Sequence, residues 1–396
     1  MERSRPTQVA VLTPPGRGAV ATIAIEGPRA AELVAQYLHT RRPDAWARAE
    51  PGQIVVARWL ADDGEEIVAC RHSAERVELH CHGGRAAVER IVGELVARGA
   101  MLLDWREWVR QHHPDPIAVE ALEALAKAPT RRTAAILLDQ FHGSLRTAFD
   151  RIEMSIHAGD VSGALCEVDL LLSAASIGRH LIDPWLVVIA GAPNVGKSSL
   201  LNSIGGYERA IVCDTPGTTR DVLTVTTALD GWPVEFADTA GLREPEGAIE
   251  AAGVELAHQR MQSADLVVLV FDGSCPWSAA DTQLAAQWQN TMYVHNKLDL
   301  GIVDQAMRPQ GFFVSALSGE GIDRLLAAIV ERLVLLPPLP GAAVPFSDNQ
   351  IAALTAARAA LTKTSFMEAA DALQNVMPRT MTAGARWPPE DDRSSR

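Results

Sequence analysis

A chain of 396 residues exceeds what one hydrophobic core ordinarily supports, so two or three domains are expected. Hydrophobic residues make up 47% and charged ones 21%, the balance of a folded globular protein and not of a disordered chain. The formal net charge of −13 disfavours broad, non-specific coating of nucleic acid and leaves RNA binding to a local basic patch. Cys70, Cys81, Cys166, Cys213 and Cys275 are scattered without a C-x-x-C pair, which argues against a zinc site or a redox dithiol. The N-terminus carries no apolar run of signal-peptide length, and no segment approaches about 18 uninterrupted apolar residues. The expectation is a cytoplasmic chain that does not span a membrane.

In chain order, "QVAVLTPPGRGAVATIAIEG" (8–27) reads as two short strands around a Pro/Gly turn, and "RAAELVAQYL" follows as a helix. Strand patterns recur at "GQIVVARWL", "EIVACRH" and "RVELHCH", and "GGRAAVERIVGELVARG" is an amphipathic helix. Together they predict an α+β domain over residues 1–112. Residues 113–183 turn Ala- and Leu-rich with helical periodicity, the first part of a helical domain. From 184 to 336 the strands "WLVVIAG", "VEFADTAG", "ADLVVLVFDG", "MYVHNK" and "GFFVSAL" alternate with helices, which predicts a parallel sheet wrapped by helices. "LLPPLPG" is a stiff break, residues 337–380 return to helical pattern and pack back on the earlier helices, and the tail 381–396 is expected to be disordered.

"GAPNVGKSS" contains G-x-x-x-x-G-K-S between a strand and a helix. Gly191 and Gly196 let backbone N–H groups, with those of Val195 and Ser199, curl around phosphates. Lys197 reaches the terminal phosphates, and the Ser198 hydroxyl is a Mg²⁺ ligand. "DTAG" places Asp238 at a strand end to hold Mg²⁺ through water, with Thr239, Ala240 and the Gly241 N–H toward the γ-phosphate. In "NKLD", Asn296 and Lys297 frame the base and Asp299 accepts two hydrogen bonds from the guanine edge, where adenine offers no matching donors. Ser315, Ala316 and Leu317 follow the last strand where a backbone N–H would meet the guanine oxygen. "GTTRD" lies between the phosphate loop and DTAG, with Thr218 beside the phosphates and Thr219 capping the γ-phosphate and Mg²⁺. The nucleotide implied is GTP. Leu242 follows DTAG where Ras-like proteins carry a water-orienting glutamine, so water and transition-state charge must be handled by other groups.

With these motifs in this order, and with "TPPGRGAVATIAIEG", "VELHCHGG", "AIVCDTPGTTRD" and "DTAGLRE" followed by "IEAAGVE", the chain resembles the tRNA-modification GTPase family MnmE, also called TrmE. The resemblance covers roughly residues 8 to 365. It implies a P-loop GTPase domain inserted in a helical domain and preceded by an α+β folate-binding-like domain, a multidomain α/β plus α+β fold. It also implies GTP hydrolysis coupled to modification of the tRNA wobble uridine, an FAD-dependent MnmG-like partner, and a homodimer formed through the N-terminal domain. K⁺ would sit beside the phosphates, held by Asn194 and by the loop containing Cys213, Thr215 and Thr218, while Glu250 orders the attacking water. One-carbon tetrahydrofolate would be contacted by Glu78.

The sequence departs from the family at several of these points. Cys213 replaces the threonine that usually begins the potassium loop, and Ala24 stands at the folate-contacting arginine. The family's lysine-bearing "N-G-K-L-D-L" segment is not recognisable after residue 100. The chain ends in "DDRSSR" without C-I-G-K, so the expectation is a divergent, C-terminally shortened member. These losses support an alternative, a GTP-switched binding protein that has shed folate and modification chemistry. A ribosome-assembly GTPase would require an RNA-binding domain that the sequence does not display.

Three other features are read conservatively. "HCH" on a strand puts His80 and His82 on one face and Cys81 on the other, without ligand spacing for a metal. Arg131 and Arg132 read as a solvated helix face, with tRNA contact the weaker reading. The nine tryptophans are assigned to packing.

Overall fold

The computed structural model describes residues 5–13, 18–42, 44–60, 64–207, 224–238, 261–287 and 291–377. They form two compact units that divide between Val119 and Glu120.

The first unit contains β1 (Gln8–Val11), β2 (Val20–Glu26), α1 (Ala30–Ala35), β3 (Leu38–His39), α2 (Ala45–Arg48), β4 (Ile54–Trp59), β5 (Glu65–Arg71), β6 (Arg76–His82), α3 (Arg85–Ala97), β7 (Met101–Leu103) and α4 (Trp105–His112). Its sheet runs β3-β4-β5-β6-β2-β1-β7, antiparallel throughout except for the parallel β1–β7 pair. Period-2 alternation sorts the side chains. Val77, Leu79 and Cys81 of β6 are buried with Ile23, Ile25, Trp59 and Ile67, while Glu78, His80 and His82 share the opposite face as expected. Helix α3 covers the apolar face with Ile91, Val92 and Leu95. The first helix is shorter than its pattern, because Leu38 and His39 leave it to pair with Trp59 and Arg58.

Helix α4 and strand β7 were not foreseen, since "MLLDWREWVRQHH" is short and mixed in pattern. Asp104 nucleates the helix by accepting the Arg106 N–H at 2.9 Å. Trp108 then packs with Ala10, Ala24 and Leu103 on the second face of the sheet. Its ring stacks on His112 at 4.4 Å, and His112 Nε2 lies 2.6 Å from Glu26 Oε2.

Beyond α5 (Pro116–Leu125), the second unit comprises α6 (Arg131–Phe141), α7 (Ser144–His157), α8 (Val161–Arg179), β8 (Trp185–Ala190), α9 (Lys197–Tyr207), β9 (Thr224–Leu229), β10 (Trp232–Asp238), β11 (Leu266–Asp272), α10 (Ala279–Ala286), β12 (Thr291–Asn296), β13 (Phe312–Phe313), α11 (Ile322–Leu333), α12 (Asp348–Thr362) and α13 (Phe366–Gln374). The strand order is β13-β12-β11-β8-β10-β9. The expected strands pair in parallel, and β9, which was not among them, adds an antiparallel edge beside β10. The physical cause is the Asp230–Gly231 turn, with φ of 48° and 77°, whose left-handed pair of residues suits a tight hairpin.

Among the described residues, α8 alone is long and apolar enough to cross a membrane. One face of it buries Ala164, Val168, Leu171, Ala175, Ile177 and Gly178, and it carries Glu167 and Asp169. The segment after α11 closes on the early helices. Gln140 donates to the Ala342 carbonyl at 3.0 Å and accepts the Val344 N–H at 3.1 Å. Gly341 N–H reaches Asp139 at 2.8 Å, and Arg358 of α12 meets Asp169 of α8 at 2.5 Å.

Arg132 lies on an exposed helix face as expected, and it also has a partner there. Its guanidinium forms two bonds to Asp230, at 2.9 and 3.4 Å, and lies 5.2 Å over the Trp232 ring. Thr130, the N-cap of α6, donates its hydroxyl to the Gly231 carbonyl at 2.6 Å. The tip of the β9–β10 hairpin is thereby fastened to the start of α6.

Candidate functional site

The loop between β8 and α9 turns through left-handed backbone at Gly191 (φ 149°), Asn194 (φ 62°) and Gly196 (φ 95°). A Cβ on Gly196 would lie 2.3 Å from Asn296 Nδ2, so only glycine fits there. Val195 is buried, while Asn194, Ser198 and Ser199 are exposed. Lys197 opens α9 and folds back over the loop, its Nζ bonded to the carbonyls of Gly191 (3.1 Å) and Ala192 (2.9 Å). These bonds hold the amine against the loop that carries the backbone N–H groups, where a cation faces bound phosphate. Ser198 Oγ donates to Asp238 Oδ2 at 2.7 Å across from the end of β10. That hydroxyl–carboxylate pair, with Asp238 fully buried, is a hard oxygen set suited to Mg²⁺.

The base-recognition loops are knitted to this cradle by Asn296. Its Nδ2 donates to the Val195 carbonyl at 3.0 Å and its Oδ1 accepts the Ala316 N–H at 3.0 Å. Of the Ser315–Leu317 backbone, where one N–H is expected to meet the guanine oxygen, the Ala316 N–H is engaged by Asn296. Asp299 Oδ1 accepts the Ser315 hydroxyl at 2.5 Å, which aims its carboxylate, and Leu317 projects into solvent. Lys297 holds a left-handed φ of 68° while Nζ reaches Asp272 Oδ2 at 2.6 Å. Burial pushes the Asp272 carboxyl up, but Lys297 and the Ser274 hydroxyl and N–H outweigh it and hold it below the usual carboxylate range.

Asp272 and Arg308 were not singled out in the sequence. Asp272 was legible only as the acid closing "VVLVFDG", and Arg308 sits in a loop with no motif. Cys213, Thr215, Thr218, Thr219, Thr239, Ala240, Gly241 and Glu250 lie outside the described residues.

His295, fully buried, precedes NKLD. Its Nε2 donates to the Pro309 carbonyl at 3.0 Å, and Nδ1 faces Arg308 Nη1 at 3.4 Å, which requires a neutral ring. Burial foremost, and the Arg308 charge, lower its pKa against the opposing Pro309 bond. The unfolded imidazole takes a proton near pH 6.5, so the stability from the neutral ring is fully present above about 6.5 and is lost as pH falls toward the lowered folded value. Urea midpoints measured from pH 7.5 to 5.5 should fall, and His295→Gln should flatten that slope. An unchanged slope would remove His295 from the acid response.

On the first unit, Glu78 is engaged by His72 (3.2 Å) and Arg76 (3.5 Å), and His80 Nδ1 lies 3.1 Å from the Thr22 hydroxyl. Ala24 pairs directly across from Glu78 and is buried with Trp108. An arginine's contact to folate has no counterpart there. Among the described residues no cluster of three or more His, Cys, Asp and Glu side chains could hold a metal ion.

Residues 7–107 match the family model described as "GTP-binding protein TrmE N-terminus", and residues 186–297 match "50S ribosome-binding GTPase". A tRNA modification GTPase MnmE of Chloroflexus aurantiacus is 32% identical, over 96% of this chain and 93% of that protein. One of Cyanothece sp. is 35% identical over 72% and 70%, and one of Natranaerobius thermophilus is 30% identical over 82% and 81%. Among solved structures, the G domain of the T. maritima FeoB iron transporter is 25% identical, covering 37% of this chain and 98% of that one, with a TM-score of 0.29. Similarity that runs from the N-terminal sheet through the nucleotide loops places the whole chain in one lineage: it belongs to the tRNA modification GTPase MnmE family.

Proposed function

We propose that this chain hydrolyses GTP to GDP and phosphate and couples that hydrolysis to modification of the tRNA wobble uridine. The observation that carries the reading is Asn296, which joins the phosphate loop at Val195 to the base-recognition loop at Ala316 and makes one nucleotide site of separate motifs. In this site Lys197 neutralises charge developing on the β- and γ-phosphates, backbone N–H groups of the loop hold the phosphates in line, and Asp299 selects guanine. Ser198 and Thr219, with Asp238 acting through water, would hold Mg²⁺, which when bound would supply electrostatic stabilisation of the transferring phosphoryl group. Glu250 orders the attacking water in place of the missing glutamine. Asn194, with Cys213, Thr215 and Thr218, would hold K⁺, which would add positive charge for the transferring phosphoryl group; the exposed Asn194 side chain and its left-handed backbone on the loop support that role.

The G domain, residues 184–336, is read as an insertion in a helical domain formed by 113–183 and 337–380, supported by the bonds from Gln140 and Asp139 to the returning segment. Homodimerisation through residues 1–112, an MnmG-like partner and a cytoplasmic location complete the proposal. Tetrahydrofolate chemistry enters no step, because Ala24 and the engaged Glu78 do not fit the family's contact.

Deleting the gene should remove the wobble modification from bulk tRNA, and an unchanged nucleoside profile would overturn the coupling. The purified protein should turn over GTP faster in K⁺ than in Na⁺, with equal rates rejecting the Asn194 assignment. Glu250→Ala should slow turnover with little loss of GTP affinity; a matching loss of affinity would assign it a structural role.

A further inference from the structure

Arg308 is buried to 8% exposure, although it belongs to none of the nucleotide motifs. Its Nε donates to the Val303 carbonyl at 2.8 Å. Nη2 reaches the carbonyls of Asp272 (3.1 Å), Gly273 (3.2 Å) and Cys275, and Nη1 faces His295. Trp277 covers the guanidinium, its ring centroid 5.5 Å from Cζ. A guanidinium offers donors in a fixed planar fork, so its acceptors are held in one mutual geometry that a flexible ammonium could not impose.

The acceptors are chosen by the fold in a telling way. Val303 lies just beyond the 3-10 turn Leu298–Leu300 that carries Asp299, and its N–H donates to the Gly273 carbonyl at 2.9 Å. Asp272 is the residue whose carboxylate holds Lys297, and the Gly273 N–H donates to the Asn296 carbonyl at 2.7 Å. His295 leads directly into Asn296. The backbone on both sides of NKLD, and the strand end that anchors its lysine, therefore converge on one side chain.

We infer that Arg308 is a positioning residue for guanine recognition: by gathering the Asp272–Cys275 turn, Val303 and His295 it sets the height and tilt of the Asp299 carboxylate. The inference rests on the GTP reading and deepens it. A carboxylate accepting both the N1–H and the 2-amino group of guanine needs a narrow approach angle, because hydrogen bonds weaken steeply once bent. Loosening the turn should cost the 2-amino bond before it costs phosphate binding, which depends on Lys197 and the loop N–H groups.

The test is equilibrium binding of GDP, IDP and ADP to the full chain and to Arg308→Met, with Arg308→Lys measured in parallel. IDP lacks the 2-amino group, so the GDP-to-IDP ratio reads the second hydrogen bond alone. In Arg308→Met, GDP affinity should fall by roughly tenfold, the scale of one charge-assisted hydrogen bond. The GDP-to-IDP ratio should contract toward one, and KM for GTP should rise more than kcat falls. Arg308→Lys keeps the charge and most of the stem but not the fork, and should show the same contraction, so the readout survives if the methionine variant does not fold. A wild-type GDP-to-IDP ratio in either variant, with only a lowered melting temperature, would make Arg308 purely structural and overturn the inference. A wild-type protein that fails to prefer GDP over ADP would refute the GTP reading itself.

Discussion

Asp299→Asn should lower kcat/KM for GTP by on the order of 10²–10⁴ and make xanthosine triphosphate the better substrate. The carboxylate accepts two charge-assisted hydrogen bonds from guanine, each contributing about 1.5–3 kcal/mol. An amide in its place offers one acceptor and one donor. Guanine then meets a donor facing its own 2-amino donor, while xanthine presents a carbonyl there and is matched. The variant should fold, because Ser315, which donates to Asp299 at 2.5 Å, can donate equally to an amide oxygen. Steady-state rates with the two nucleotides decide the matter. If xanthosine triphosphate is no better a substrate than GTP for the variant, Asp299 is not the specificity group.

Gly178→Ala should be the most destabilising single-methyl change in the helical layer. An added Cβ would stand 1.8 Å from the Pro345 carbonyl oxygen and 2.8 Å from its carbon. Both obstacles are backbone, so α8 and the returning segment must separate. Overpacking of this kind costs about 3 kcal/mol or more. Gly93→Ala is the control: it lies in α3 with nothing within 4 Å of a new Cβ. Relief of glycine's helix penalty should stabilise it by about 0.5–1 kcal/mol. Urea midpoints that move equally for the two variants would show that the Gly178–Pro345 approach is not tight.

Much of the nucleotide site could be read in advance because its chemistry is local. The phosphate loop, Asp238 at its strand end and the NKLD turn each need a fixed run of residue types, and the structure brings Gly191, Lys197, Ser198, Asp238, Asn296 and Asp299 to the ends of neighbouring strands. The residues that were missed act across sequence distance. Asp272 has meaning only once Lys297 reaches it, and Arg308 only once the carbonyls of Val303, Asp272, Gly273 and Cys275 converge on it. Strand β9 escaped because "TVTTAL" is polar for a sheet residue run, although the Asp230–Gly231 pair that follows was a hairpin signal in plain view. Arg132 is exposed as its place suggests, and what was not legible is its partner. On a helix face it reads as solvated, and its role depends on a turn about a hundred residues away, as Asp230 shows.

That turn has a mechanical meaning. Strands β9 and β10 leave it side by side, and their far ends, Thr224 and Asp238, adjoin the GTTRD and DTAG segments. Two strands of this length make a ribbon on the order of 20 Å long. Thr130 and Arg132 clamp its closed end to a helix. The residues nearest the nucleotide motifs thus lie a full strand length from the point where the ribbon is held to the first turn of α6.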